Sequence, residues 1–189
     1  MRERREREIV LDQPDNEQDQ VQDTPDKLGG QDVPAKGRKF LVVVDDTQEC
    51  RVAVRFAGRR AQRTGASLVL LRVIVPNPSH THWLAVEERM REEAFDDAEV
   101  LLQDIATDIN EWAGLVPAMA IRQGKIKDEV LAQIEEDSCV DVLVLAASPG
   151  PDGPGPLVTA LAGTLSGSMR VPVTVVPGNL TDAQVDRLT

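Results

Sequence analysis

A glycine pattern in the last quarter of the chain has the spacing of a phosphate-binding loop. Gly150 and Gly153 are three residues apart, and Gly163 and Thr164 follow after nine further residues. Such loops hold phosphate through backbone N–H groups and the positive end of a helix, often together with a Lys or Arg side chain. The spacing raises the hypothesis of a nucleotide site within residues 148–164.

The composition of the same stretch argues against strong phosphate binding. Four prolines, which have no backbone N–H, lie within residues 148–164, and no Lys or Arg occurs between Asp141 and Arg170. Gly163 and Gly167 are expected inside a helix rather than at its start, which costs roughly 1 kcal/mol each relative to Ala. A phosphate loop and a proline-stiffened connector both stay open, and the composition favours the connector.

Two acidic residues follow the first apolar run of the chain. Asp45 and Asp46 come directly after "KFLVVV", which is typical of a buried strand. In open parallel sheets, ligands bind at the carboxyl ends of the strands, where the strand order reverses. Asp45 is therefore the side chain best placed for a ligand contact. The alternative is that the acids only cap the next helix, with Asp46 as the cap and Glu49 three residues on.

The elements that must position these residues alternate between strand and helix. Apolar runs predict five strands, the fourth ending at Leu145, and the segments between them have helical periodicity. Alternation of this kind predicts an α/β fold with an open five-stranded parallel sheet and helices on both faces. The five runs are "KFLVVV", "SLVLLRVIV", "PAMAIRQG", "VDVLVLAA" and "VPVTVVP".

Composition sets the domain organisation and excludes some partners. Residues 1–38 are polar and charged and are predicted to be a disordered tail, residues 39–178 a folded domain, and residues 179–189 a short C-terminal tail with at most a helical turn. The net charge of −11 argues against nucleic acid and anionic membrane as partners. No apolar run approaches the roughly 18 residues that span a bilayer. The start has no apolar signal core, and we expect a cytoplasmic protein.

Three segments of the chain resemble the universal stress protein family. They are "FLVVVDDTQECRVAVRFAGRRAQRTGASLVLLRVIVP", "RQGKIKDEVLAQIEEDSCVDVLVLAAS" and "VPVTVVPG", and together they cover about residues 39–178. The resemblance implies a Rossmann-like sheet of the adenine-nucleotide alpha hydrolase-like type. It also implies a homodimer joined through the last strand, here Val171–Val176, and a role in stress survival.

The resemblance also bears on the candidate site. Some members bind ATP through a Gly-x-x-Gly-nine-residue-Gly-Ser pattern, and others bind none. In the ATP-binding members, the residue matching Asp45 lies beside the adenine or ribose, and the position matching Val73 packs on the base. Alignment on the fourth strand puts the first glycine at Ala146, and alignment on the last strand puts the Gly-Ser pair at about Thr159 and Ala160. The visible glycines come four residues later.

The sequence gives weaker signals for a reactive thiol, a zinc site and a phosphoacceptor site. Cys50 falls in the first turn of a helix, where the dipole lowers a thiol pKa, so a redox sensor is the alternative to a packed side chain. His80 and His82 form a His-x-His pair without the further ligands that zinc needs. Paired acids also begin phosphoacceptor receiver domains, but "AIRQG" and "VVPGN" lack the Asp and Lys which that chemistry requires. No metal and no turnover chemistry are predicted.

The predicted function is a dimeric stress-response protein. It is expected to act through contacts with an unidentified protein partner and to bind little or no ATP. The alternative is an ATP-binding switch. The residues assigned to that nucleotide are Asp45, Val73, Ala146, Gly150, Gly153, Gly163 and Thr164.

Overall fold

A computed structural model describes residues 37–76 and 84–189 of the chain. The predicted tail, apart from residues 37 and 38, and the pair His80 and His82 lie outside the described residues. The strands are β1 (Lys39–Val44), β2 (Ser67–Ile74), β3 (Ala118–Gln123), β4 (Val140–Ala147) and β5 (Val173–Pro177). The helices are α1 (Gln48–Thr64), α2 (Leu84–Ala113), α3 (Ile126–Glu136), α4 (Pro156–Val158) and α5 (Asp182–Leu188).

The strands form one parallel sheet in the order β3-β2-β1-β4-β5. In its central register, Val42 of β1 lies between Leu70 of β2 and Val144 of β4. The predicted five-stranded parallel sheet is therefore confirmed. From β1 the chain moves outward to β2 and β3, then crosses back to β4 and continues to β5 on the other side.

Each face of the sheet is covered by a separate helical layer. On one face, Val42 and Leu70 pack with residues of α1 and α2, such as Ala57 and Leu102. On the opposite face, the side chains that alternate with these pack against α3, α4 and the turns that follow α4. This second cluster includes Leu41, Leu71, Leu143, Val130, Ile134, Val158 and Leu161. Because both faces are buried, the strands need the nearly continuous apolar runs seen in the sequence.

Two strand boundaries differ from the sequence-based expectation. β4 covers the predicted run "VDVLVLAA" and ends at Ala147 rather than at Leu145, the end used for the glycine alignment, because Ala146 and Ala147 still pair with the last two residues of β5. β5 spans Val173–Pro177 rather than Val171–Val176, although Val171 is buried against the same layer.

The helix predicted after "GPG" is irregular. α4 is a single turn that continues as a π-helical segment over Thr159–Thr164 and a 3-10 turn over Ser166–Ser168. The Leu165 N–H donates to the carbonyl of Ala160, five residues earlier, at 3.0 Å. The widened turns bring Leu161 onto the sheet, where it is fully buried.

The segment predicted as a short C-terminal tail is an ordered helix. Thr181 and Gln184 form a capping box at the start of α5, and Val185 is completely buried. No helix in the described part of the chain combines the length and apolar composition that a membrane crossing requires.

Gly58 lies where α1 crosses the indole ring of Trp112 near the end of α2. A Cβ on Gly58 would overlap the ring. The ring is also held in place, because the guanidinium groups of Arg55 and Arg59 lie over it at 5.5 and 4.9 Å from its centroid. The close crossing of the two helices therefore needs a residue without a side chain.

We expect Gly58→Ala to destabilise the protein by about 1 kcal/mol. Overpacking a filled site costs ~1–3 kcal/mol, which exceeds the ~1 kcal/mol that Ala gains over Gly in a helix. Gly163→Ala is the matched control, because a Cβ there meets nothing within 4 Å, and this variant should be as stable as the parent or more so. Urea unfolding followed by circular dichroism measures both. A Gly58→Ala protein no less stable than the parent would contradict the crossing geometry.

Candidate functional site

A cleft of about 340 Å³ opens at the carboxyl ends of β1 and β4. These two strands are neighbours at the point where the strand order reverses, so the connections leaving them go to opposite faces of the sheet and leave a gap. The residues lining the cleft are Val43, Asp45, Thr47, Glu49, Val73, Ile126, Leu145, Ala146, Ser148, Pro154, Gly155, Pro156, Leu157 and Val158.

The structure brings together three of the residues assigned to a nucleotide. Asp45, Val73 and Ala146 line the cleft. All three lie at or just beyond the carboxyl end of a strand, which is why a strand-based reading of the sequence could find them. Gly150, Gly153, Gly163 and Thr164 are not among the lining residues.

The backbone of the glycine loop bonds within the loop. The Gly150 N–H donates to the Ser148 hydroxyl oxygen, and the Gly153 N–H donates to the Gly150 carbonyl, both at 3.4 Å. Gly153 and Gly155 have φ values of +90° and +95°, which side chains disfavour. These glycines therefore give the loop its shape, and the amides of Gly150 and Gly153 are not presented to the cleft.

The start of α4 is a poor anion site. Pro156 is its first residue and Pro154 lies two before it, so two of the residues nearest the cleft have no N–H to donate. The regular part of α4 is only three residues long, which leaves few aligned peptide dipoles. Gly163 and Thr164 end the π-helical segment that follows.

Asp45 supports the cap of α1 without being the cap. Thr47 is the capping residue, and its hydroxyl accepts from the Cys50 N–H. Asp45 in turn accepts hydrogen bonds from the N–H and the hydroxyl of Thr47, the former at 2.9 Å. The prediction that Asp46 caps the helix is wrong: its carboxylate pairs with Arg72 of β2 at 2.8 Å. Asp45 keeps an exposed carboxylate on the cleft wall.

Glu49 is a cleft residue that sequence reasoning missed as a ligand contact. Its backbone in the first turn of α1 packs against Gly178, where a Cβ would overlap that of Glu49 and approach the Ala147 carbonyl oxygen to 2.9 Å. The Gly178 N–H also donates to that carbonyl at 2.9 Å. The end of β4, the turn after β5 and the start of α1 thus fix Glu49 on the wall. Only a tertiary contact reveals this, and the local pattern gave no signal.

The lining of the cleft is apolar and acidic. Among the lining residues that the structure describes, Asp45 and Glu49 are charged and none is Lys or Arg. Lys125 and Lys127 flank Ile126 in the sequence, but neither side chain lines the cleft. The two carboxylates therefore lie beside apolar side chains such as Val73 and Ala146.

Cys50 is a packed side chain rather than a reactive thiol. It is completely buried under the start of α1, and this burial raises the pKa of the thiol to about 11. The hypothesis of a dipole-lowered thiol pKa is therefore wrong, because desolvation outweighs the helix terminus. In the ranges described, no three His, Cys, Asp or Glu side chains are grouped as metal ligands.

The sequence that forms this fold and cleft matches a known protein family. The model of the universal stress protein family matches residues 37–177, which include all five described strands and every described residue of the cleft lining. The chain belongs to the universal stress protein family. No curated protein matches the chain.

Solved structures of universal stress proteins share the fold. The UspA protein of Lactobacillus plantarum matches with a TM-score of 0.63 and 19% identity over 74% of this chain and 97% of its own. A universal stress protein of Arabidopsis thaliana with AMP bound has a TM-score of 0.51 and 20% identity, over 74% of this chain and 91% of its own. One in complex with cAMP has a TM-score of 0.50 and 17% identity, over 74% and 96%.

The burial of Cys50 gives a direct chemical test. At pH 8, a pKa of about 11 leaves roughly one thiolate per thousand thiols, so Cys50 should react far more slowly with a disulfide reagent in the folded protein than in guanidinium chloride. The partly exposed Cys139 should react first. The variants Cys139→Ser and Cys50→Ser isolate each thiol. Equal labelling rates of Cys50 in the folded and unfolded states would contradict its burial.

Proposed function

We propose that this universal stress protein acts through protein contacts as a cytoplasmic homodimer, without turnover chemistry, and that its cleft binds adenine nucleotides weakly or not at all. The observation that carries the proposal is the charge of the cleft lining: within residues 37–76 and 84–189 it has two carboxylates, Asp45 and Glu49, and no Lys or Arg.

The electrostatic penalty for a nucleotide follows from Coulomb's law. A phosphate charge about 6 Å from one carboxylate is repelled by ~1–3 kcal/mol at effective dielectric constants between roughly 80 and 20. Two carboxylates and a multiply charged triphosphate raise this penalty further. Each 1.4 kcal/mol weakens binding about tenfold, and the prolines at the start of α4 leave few N–H groups to offset it.

The dimer proposal rests on the two edges of the sheet. β5 has the sequence VTVVP, without a charged residue to discourage pairing, and pairs with β4 alone among the described strands. At the other edge, β3 carries Arg122, which bonds to Glu129 and Glu136 of α3. The uncharged β5 edge is therefore the better surface for a second copy.

An ATP-binding switch is the second candidate function. It is favoured by the placement of Asp45, Val73 and Ala146 around one cleft and by the AMP and cAMP carried by two universal stress proteins of the same fold. Such a switch would need a rearranged glycine loop to present amide groups to the cleft. Its positive charge would have to come from another part of the chain, because no Lys or Arg occurs between Asp141 and Arg170.

Nucleotide analysis separates the two candidates. Protein purified without added nucleotide and then heat-denatured should release no stoichiometric ATP, ADP or AMP, and calorimetry should give a dissociation constant for ATP weaker than about 1 mM. Glu49→Gln should tighten ATP binding about tenfold by removing one repelling charge. Glu135→Gln, an exposed control on α3 that makes the same charge change, should not. Stoichiometric bound ATP in the parent protein would overturn the proposal in favour of the switch.

Light scattering tests the dimer. At about 10 μM, the parent protein should have twice the chain mass, and Thr174→Lys should shift it to a monomer, because a charge on the β5 edge opposes strand pairing. Met119→Lys places the same charge on the half-exposed β3 edge and should leave the dimer intact. A monomeric parent, or a dimer that only Met119→Lys dissociates, would contradict pairing through β5.

A further inference from the structure

Three arginines form a stripe along α1. Arg55, Arg59 and Arg63 are spaced four residues apart, which puts them on one face of the helix. They face α5, whose Asp182 and Asp186 are also four residues apart. We use the term arginine stripe for the three α1 residues.

The contacts between the arginine stripe and α5 are charge-assisted. Arg55 donates to both Asp186 carboxylate oxygens, at 3.0 and 2.6 Å, and lies 3.2 Å from a carboxylate oxygen of Asp182. Arg59 donates to Asp186 at 3.1 Å, and Arg63 donates to its main-chain carbonyl at 3.1 Å. The bond from Arg55 keeps the pKa of Asp186 below its ordinary value. A bidentate pair of this kind, with two hydrogen bonds from one guanidinium to one carboxylate, is strong and also fixes the relative orientation of the two groups.

The arginine stripe is also held in place by contacts that do not involve α5. Arg55 and Arg59 both lie over the Trp112 ring, and Arg59 donates to the Trp112 carbonyl at 2.9 Å and to the Gln62 amide oxygen at 3.1 Å. Gly58 allows the ring to lie this close to α1. The groove is therefore formed by α1 and α2, and a preorganised surface loses less entropy when a ligand binds.

By contrast, α5 has little stability of its own. It is seven residues long, and helices shorter than about 12 residues are marginal in isolation. Val185 is its one fully buried apolar side chain, whereas Leu188 is 56% exposed. The helix also lies beyond residues 37–177, which match the family. Elements with so few buried contacts open at a free energy well below that of global unfolding.

We propose that the arginine stripe and Trp112 form a docking groove for an acidic amphipathic helix of a partner protein, and that α5 occupies this groove as a displaceable internal substitute. The pattern recognised is an acid, an aliphatic residue three positions later and a second acid directly after it, as in Asp182, Val185 and Asp186. The groove gives a location to the protein contacts proposed above, and it does not depend on what the cleft binds.

The groove is not completely packed beside the start of α5. A cavity of about 220 Å³ lies beside Asp182, at the first residue of α5. Its lining includes Arg51, Arg55 and Trp112, and also the acidic residues Asp108 and Glu111.

A peptide added to the full-length protein tests the groove. The probe is a fluorescent 20-residue alanine-rich helical peptide with Asp-Ala-Gln-Val-Asp at its centre, and the matched control peptide has Asn in place of both acids. The probe should bind the double variant Asp182→Asn/Asp186→Asn at least tenfold more tightly than it binds the parent, because the tethered α5 competes at a high effective concentration. Binding should weaken at 0.5 M NaCl, because salt screens the ion pairs. Adding Arg59→Gln to the double variant should abolish it.

Hydrogen exchange shows whether α5 has left the groove in the double variant. Amides of residues 182–188 should exchange faster in the double variant, while the sheet stays protected. If they do not, Val185→Asp replaces the double variant in the same titration. The proposal is overturned if a variant remains folded, its α5 has left the groove, and it still binds the probe no more tightly than it binds the Asn control peptide. A dimer formed by exchange of α5 also overturns it, since the occupant is then a second copy. Neither result changes the nucleotide measurements, so failure of this proposal is separate from failure of the proposed cleft function.

Discussion

Burying both faces of the parallel sheet is the constraint on which the rest of the molecule depends. Adjacent residues of one strand point to different helical layers, as Leu41 does to α3 and α4 and Val42 to α1 and α2. Such strands have no polar face to offer, so functional groups can gather only at their ends. Because the order reverses between β1 and β4, one pair of strand ends faces an open cleft. The same constraint buries Cys50 under the first turn of α1, which removes the thiol from chemistry and leaves Asp45 at the surface.

The parts of this fold that follow from local patterns could be predicted from the sequence. Runs of six to nine mostly apolar residues identify the strands. The ends of these strands place Asp45, Val73 and Ala146 around one cleft. The predictions that were wrong or missing concern contacts between residues far apart in the chain. Arg72 draws Asp46 away from the helix, and Gly178 fixes Glu49 on the cleft wall. No periodicity in α1 reports either contact.

In the glycine loop, residues 148–164, the spacing of the glycines did not predict their positions in the structure. Gly150, Gly153, Gly163 and Thr164 have the intervals of a phosphate-binding pattern, but intervals along the chain do not say where a strand ends or which way an amide points. β4 continues to Ala147, the amides of Gly150 and Gly153 are used inside the loop, and Thr164 lies at the far end of a π-helical segment. Composition carries information that does not depend on the register, because each proline lacks an N–H and no Lys or Arg lies between Asp141 and Arg170.

The distribution of arginine explains why a protein of net charge −11 can offer a groove for an acidic helix. Arg72 is committed to Asp46 and Arg122 to two glutamates of α3, whereas Arg55, Arg59 and Arg63 converge on one short helix. At physiological salt the Debye length is about 8 Å, so the overall negative charge repels an acidic partner only weakly beyond contact range. Within contact range, the forked bonds of Arg55 and the stacked guanidinium of Arg59 dominate, and they require the acids at fixed positions. The specificity of this groove for an acidic helix therefore comes from short-range geometry, and long-range electrostatic attraction contributes little to it.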